Sequence, residues 1–224
     1  MEPTVNTAVE AAASGNVITT FFVEGGFTSY LIVIAGLSLL VIGIERLHYL
    51  YFKIRPVSGQ VLSQLQLLIQ SRKYMEALQI CNDIQNVPQI QVIKAGLLAV
   101  DSGREAMKSS LGSAVVEVSK DCEKRIPIIS LIASVATLLG LLGTISGLIK
   151  TFSAIATADP SKKAAMLGIG ISEAMTATAA GLVVGISAMV VYTLCSSKTD
   201  DHISVAKKAG YDLVATIERS EREA

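Results

Sequence analysis

Three long stretches without a charged residue dominate this chain: residues 25–44, 126–149 and 164–197, the last interrupted by Glu173 alone. A helix crossing a bilayer needs about 20 consecutive apolar residues, and all three stretches reach that length. Inside lipid every backbone N–H and C=O must be satisfied within the segment, which leaves helices or closed barrels. Uninterrupted apolar runs of this length lack the alternation of a barrel strand. The expectation is therefore an all-α membrane protein with three transmembrane helices and long helices extending into the cytoplasm. Composition agrees: 51% of the 224 residues are hydrophobic, 17% are charged, and mean hydropathy is +0.53.

Basic residues orient the spans. Residues 1–24 carry none, 45–125 carry eleven, 150–163 carry three and 198–224 carry five. The positive-inside rule then predicts a periplasmic N-terminal segment (1–25) and a first span at 26–44. A cytoplasmic helical region follows at 45–125, then a second span at 126–155 and a short periplasmic turn at 156–163. A third span at 164–197 leads to a cytoplasmic helix or tail at 198–224. The missing Lys and Arg in residues 1–24 also deprive the N-terminus of the basic region of a cleavable signal, so the first span is expected to stay.

In the polar region, Val61, Leu65 and Leu68, and then Tyr74, Ala77, Leu78 and Cys81, follow helical spacing, with Pro56 and Pro88 as breaks. Most of 57–100 reads as a solvated helical hairpin. Leu111, Val115, Val118, Cys122 and Ile126 form a stripe running into the second span, predicting one helix from about Glu105 to about Ile155, with Pro127 as a kink. Balanced totals of 19 basic and 19 acidic residues give no signal for a nucleic-acid partner. Three scattered cysteines and two separated histidines have neither metal nor disulfide spacing. No phosphate loop, nucleophile elbow or pair of catalytic carboxylates is present, so the chain does not read as an enzyme and no cofactor is expected.

Chemistry concentrates in the spans. Glu173 is a carboxylate at bilayer depth, a placement that usually marks an ion route or a bundle interior. On a helical wheel it shares a face with Gly170, Ala177, Ala180 and Val184, opposite Met175, Leu182, Ile186 and Met189. Ser130, Thr137, Thr144 and Thr151 recur every seven residues, which is two turns, and so form one hydroxyl stripe. Gly143 with Gly147, and Gly181 with Gly185, have the small-xxx-small spacing that lets helices pack closely in lipid. Counting outward from Asp159 puts Thr144 and Glu173 nearly level and Thr178 about one turn deeper, so these three are expected to line one polar patch. A plainer reading stands beside it: the hydroxyls bond their own helix carbonyls and Glu173 serves as structural glue.

The run LGLLGTISGL at 139–148 with Phe152, and the run GISEAMTATAAGL at 170–182, resemble the second- and third-span signatures of the MotA/TolQ/ExbB proton-channel family. The likeness is most like an ExbB/TolQ-type subunit; a flagellar MotA-type stator would have four spans and prolines at its key positions. It implies a homopentameric ring in a bacterial inner membrane, surrounding an ExbD/TolR-like single-span partner. Such a ring couples proton flow to work at the outer membrane through a TonB/TolA-like protein. By motif position Thr144, Glu173 and Thr178 become the ion-pathway residues, with Ser130, Thr137 and Thr151 as further pore-lining candidates. The protonatable Asp would belong to the partner, so this chain alone would not conduct. A motor for gliding or another surface machine, and a non-conducting scaffold, are the alternatives.

Overall fold

The computed structural model describes residues 26–54, 57–84 and 87–222. The expected periplasmic segment 1–25 and the break at Pro56 lie outside these residues. Among the described residues the fold is all-helical, with no strand. We number its helices α1 (Gly26–His48), α2 (Gly59–Gln70), α3 (Tyr74–Asp83), α4 (Pro88–Leu98), α5 (Arg104–Glu123), α6 (Ile126–Ala156) and α7 (Pro160–Arg222). A π-helical turn, Tyr49–Lys53, follows α1, and a short 3-10 turn, Val100–Ser102, precedes α5. Among the described residues three helical stretches are long and apolar enough to cross a membrane, and they cover the charge-free runs from residue 28 onward.

Local sequence explains most of the boundaries. Ser58 caps α2 by accepting from the Val61 N–H. Pro88 opens α4 at its first position, where the missing N–H would be unused anyway. Pro127 does more than kink a helix. The expected single helix of 105–155 is divided into α5 and α6, with Lys124 extended (ψ 129°) and Arg125 left-handed (φ 64°). A proline ring collides with the carbonyl four residues earlier and disfavours helical geometry in the residue before it. Four residues before Pro127 is Glu123, the last residue of α5.

The chain forms two compact units. The first, described from Gly26 to Gly43 together with Ile128–Tyr192, contains most of α1 and the α6–α7 hairpin. Its core is Ile32 and Leu39 from α1, Ile129, Ile132 and Ala136 from α6, and Ala174, Ala177 and Ala188 from α7. Met175, Leu182, Ile186 and Met189 are exposed on the outer side of α7, as the helical wheel predicts.

The second unit, Ile44–Pro127 with Thr193–Ala224, holds α2–α5 and the C-terminal part of α7. Leu65, Ala77 and Cys81 are buried, as their spacing predicts, and so are Leu111, Val118, Cys122 and Ile126; Val61, Leu68, Tyr74, Leu78 and Val115 are half-buried, and Ile69, outside the predicted stripe, is buried in place of Leu68. The solvated hairpin does not extend to α4, which buries Pro88, Ile90, Val92, Ile93, Gly96 and Leu97. Its tight fit shows at Gly96, where a Cβ would stand 2.5 Å from Leu213 Cδ2 and 2.7 Å from Leu111 Cδ2. Polar ties hold the unit's edges: Arg104 pairs with Glu218, Arg125 with Glu45, and Arg72 Nη2 donates to the Ser220 carbonyl at 2.8 Å. His202 Nε2 lies 3.2 Å from the Leu50 carbonyl in the π-helical turn, a contact in which the ring N–H donates.

Candidate functional site: the α6–α7 seam

Small residues let α6 and α7 meet backbone to backbone. A Cβ on Gly181 would lie 2.7 Å from both the Ala136 carbonyl oxygen and Gly140 Cα. Further along, Gly143 faces Ala177 and Gly147 faces Ala174, at 2.7 and 3.1 Å from the position a Cβ would take. Gly185 lies under Thr137, and Gly170 under Thr151, where a Cβ would stand 2.5 and 2.0 Å from the threonine Oγ1. All four glycines expected to pack helices (Gly143, Gly147, Gly181, Gly185) sit in this seam. Gly140 and Gly170 belong to it equally; their signal in the sequence was the same small-residue spacing, 140 being four after Ala136 and 170 four before Ala174.

The hydroxyls divide into two kinds. Thr137, Thr144 and Thr151 donate to carbonyls of their own helix, Ala133, Leu141 and Gly147, at 3.0, 2.7 and 2.8 Å. That satisfies them locally and leaves their lone pairs to accept. Thr137 and Thr151 then lie over α7 glycines as part of the seam, and Ser130 is half-buried near the start of α6. Of these hydroxyls, Thr178 is the one that reaches across: its Oγ1 lies 2.9 Å from the Gly140 carbonyl and 3.3 Å from Thr144 Oγ1. Its one hydrogen is directed at those two acceptors, and Thr144, already donating to Leu141, receives rather than gives. Thr144 and Thr178 line an open groove of about 430 Å³, walled by the apolar side chains of Leu141, Met175 and Leu182.

Glu173 is not in that groove. It lines a narrow crevice of about 10 Å³ with Ser146, Gly147, Lys150 and Ala174. The expected single patch of Thr144, Glu173 and Thr178 is thus two adjoining sites. Counting outward from Asp159 assumed a symmetrical hairpin, but packing of small residues sets the register. With 147 against 174 and 143 against 177, Thr144 is level with Thr178, and Glu173 lies about one turn closer to the connection between the helices. No hydrogen bond or ion pair engages the Glu173 carboxyl among the described residues.

Comparison with known proteins places this seam in context. The profile of the MotA/TolQ/ExbB proton channel family matches residues 84–208, which include α6 and the seam portion of α7. A protein described as a biopolymer transport protein ExbB homologue, from Methanothermobacter thermautotrophicus, is 28% identical over 187 residues, 83% of this chain and 65% of that protein. The Tol-Pal system protein TolQ of Haemophilus influenzae is 36% identical over 78 residues, 35% of this chain and 34% of TolQ. Each match covers less than two thirds of the relative's own length. Among solved structures, a chain of C. jejuni MotAB has the same fold, with a TM-score of 0.58 at 16% identity over 99% of this chain and 86% of that one. With the profile matching more than half its length and both spanning signatures inside the match, the chain belongs to the MotA/TolQ/ExbB proton channel family.

Proposed function

We propose that this chain is the ring-forming subunit of an ion-driven motor of the ExbB/TolQ type, with protons as the driving ion. The observation that carries the reading is the pair of hydroxyls at Thr144 and Thr178, 3.3 Å apart and bordering an open groove within the spanning unit. A groove with apolar walls and two adjacent hydroxyls suits a single polar group moving in an otherwise oily setting, because hydroxyls both donate and accept. The proposed occupant is the carboxyl side chain of an ExbD/TolR-like single-span partner, with several copies of this chain, five in the reading preferred here, closing around it. Similarity to an ExbB homologue and to TolQ supports that class of partner, and a TonB- or TolA-like protein would carry the motion to the outer membrane.

In this reading residues 26–44, 126–155 and 164–197 cross the inner membrane, with the N-terminus and the 156–163 turn in the periplasm. Region 45–125 and the tail 198–224 are cytoplasmic, supported by their eleven and five basic residues. Protonation removes the partner's charge and lets its carboxyl pass the apolar wall; deprotonation on the other side resets it. The membrane supplies roughly 2.3 kcal/mol per charge per 100 mV, enough to bias such a step.

The test is proton uptake by vesicles containing the chain with and without its partner. Flux should need both proteins, and Thr144→Val or Glu173→Ala should each abolish it while the complex still purifies intact. Normal flux and normal transport with both variants would remove the proposed pathway; complexes that never conduct would leave a scaffold.

A further inference from the structure

Two opposite charges border the Glu173 crevice, one from each helix of the hairpin. Lys150 is exposed on α6 and Glu173 is half-buried on α7. Both line the same space of about 10 Å³, room for one water-sized group at most. Gly147, which has no side chain to obstruct a lysine stem, and Ala174, which faces it, line the same space. Ser146 borders the same space, and its hydroxyl donates to the Gly143 carbonyl at 3.1 Å, leaving its lone pairs free for an ammonium.

Other compensating groups are remote. Residues 26–44 of α1 and 126–149 of α6 carry no charge, and Glu173 is the one charge in 164–197 of α7. Lys163 and Lys162 lie ten and eleven residues earlier on α7, about three turns away, and Asp159 is in the connection. Neither Lys150 nor Glu173 has an ion-pair partner among the described residues. A lysine has a long flexible stem that runs along apolar surface while its ammonium seeks a polar position.

We propose that Lys150 is the counter-ion of Glu173: its ammonium folds over Gly147 onto the carboxylate and fills the crevice, and it must withdraw before another cation can occupy that place. Lys150 is then a positioning residue whose withdrawal admits ions to the side of the seam next to the hydroxyl pair. The gating role rests on the reading of Glu173 as part of the ion path; the pairing itself does not.

Zero-length coupling tests the pair. A membrane-permeant carbodiimide is applied to the full chain in nanodiscs, and the peptides are identified by mass spectrometry. It activates the carboxyl, the amine displaces the urea, and an amide joins Lys150 to Glu173 with the loss of one water. The link should form in the native chain, vanish in Lys150→Arg and return in the charge-swapped Lys150→Glu/Glu173→Lys chain. If the native carboxyl is too well shielded to react, Lys150→Gln should expose it to modification. Glu173 modified without a link to Lys150, or equally unreactive with and without Lys150, overturns the proposal. The coupling reads the pair directly and the vesicle assay reads conduction, so the failure of one is distinct from the failure of the other. Where both hold, Lys150→Gln raises basal flux through the partnered complex and Lys150→Arg restores the native level.

Discussion

Thr178 Oγ1 stands 3.3 Å from Thr144 Oγ1 and 2.9 Å from the Gly140 carbonyl, joining α6 and α7 by a side-chain hydroxyl at the point where both helices are bare of bulk. The contact has a small share in stability, because interhelical hydrogen bonds in membranes average about 0.6 kcal/mol. Its polarity is the distinctive property. Thr178→Val should therefore leave the thermal midpoint of the purified complex almost unchanged while proton flux collapses, and Thr178→Ser should restore flux. A Val variant that conducts normally would show that the hydroxyl only packs.

Glycines in the same helix should respond differently to one added methyl. At Gly181 the new Cβ meets backbone, 2.7 Å from the Ala136 carbonyl and Gly140 Cα, and backbone cannot rotate away. Gly181→Ala should destabilise the protein by about 1–3 kcal/mol, the usual range for overpacking. Gly168 has nothing within 4 Å of its Cβ position. Gly168→Ala should be neutral or stabilising by up to about 1 kcal/mol, the helix-propensity difference. Denaturation in mixed micelles with increasing SDS separates the two.

Arg125 holds a left-handed backbone (φ 64°) that disfavours a Cβ by about 1–2 kcal/mol. Its exposed pair with Glu45 is worth about 0–1 kcal/mol. Strain outweighs the pair. Arg125→Gly should be as stable as the native chain or slightly more so, and Arg125→Val, which keeps the strain and loses the pair, should unfold at lower SDS.

Cys81 is buried between helices of the polar unit, and that burial pushes its thiol up to about 11, with Lys94 pulling weakly the other way. A raised thiol pKa favours the folded state below the unfolded value of 9.0, and this contribution is lost as pH rises through about 11. At pH 8 the folded chain then has about a hundredth of the unfolded thiolate at this position. Alkylation of Cys81 by iodoacetamide should be slower by about that factor until SDS opens the unit, as read by peptide mass spectrometry. Rapid labelling of the intact protein would contradict this burial.

The spans were legible because lipid imposes a simple demand: enough apolar length and a satisfied backbone. The seam was legible in part, since Gly143, Gly147, Gly181 and Gly185 declared themselves by spacing. What sequence could not supply was register. The relation between Glu173 and Thr144 depends on how Gly140, Ala177 and Ala174 fit together, and counting from Asp159 cannot see that. Pro127 marked a disturbance, but its severity followed from the carbonyl it obstructs at Glu123. Similarly, α4 has little helical alternation between apolar and polar faces because it is packed on several sides, so a reading based on solvated faces underestimated its burial.

The direct backbone contact between α6 and α7 also limits what can move. With Gly140 against Gly181, the two helices have no bulky side chains between them at that point and no space to draw closer. Parting them would abandon the whole small-residue seam at once. The hairpin is therefore a single stave: in the proposed ring, any widening of the lumen would fall along its outer edges, where one stave would meet the next, and the polar groups it carries would travel with it as a fixed set.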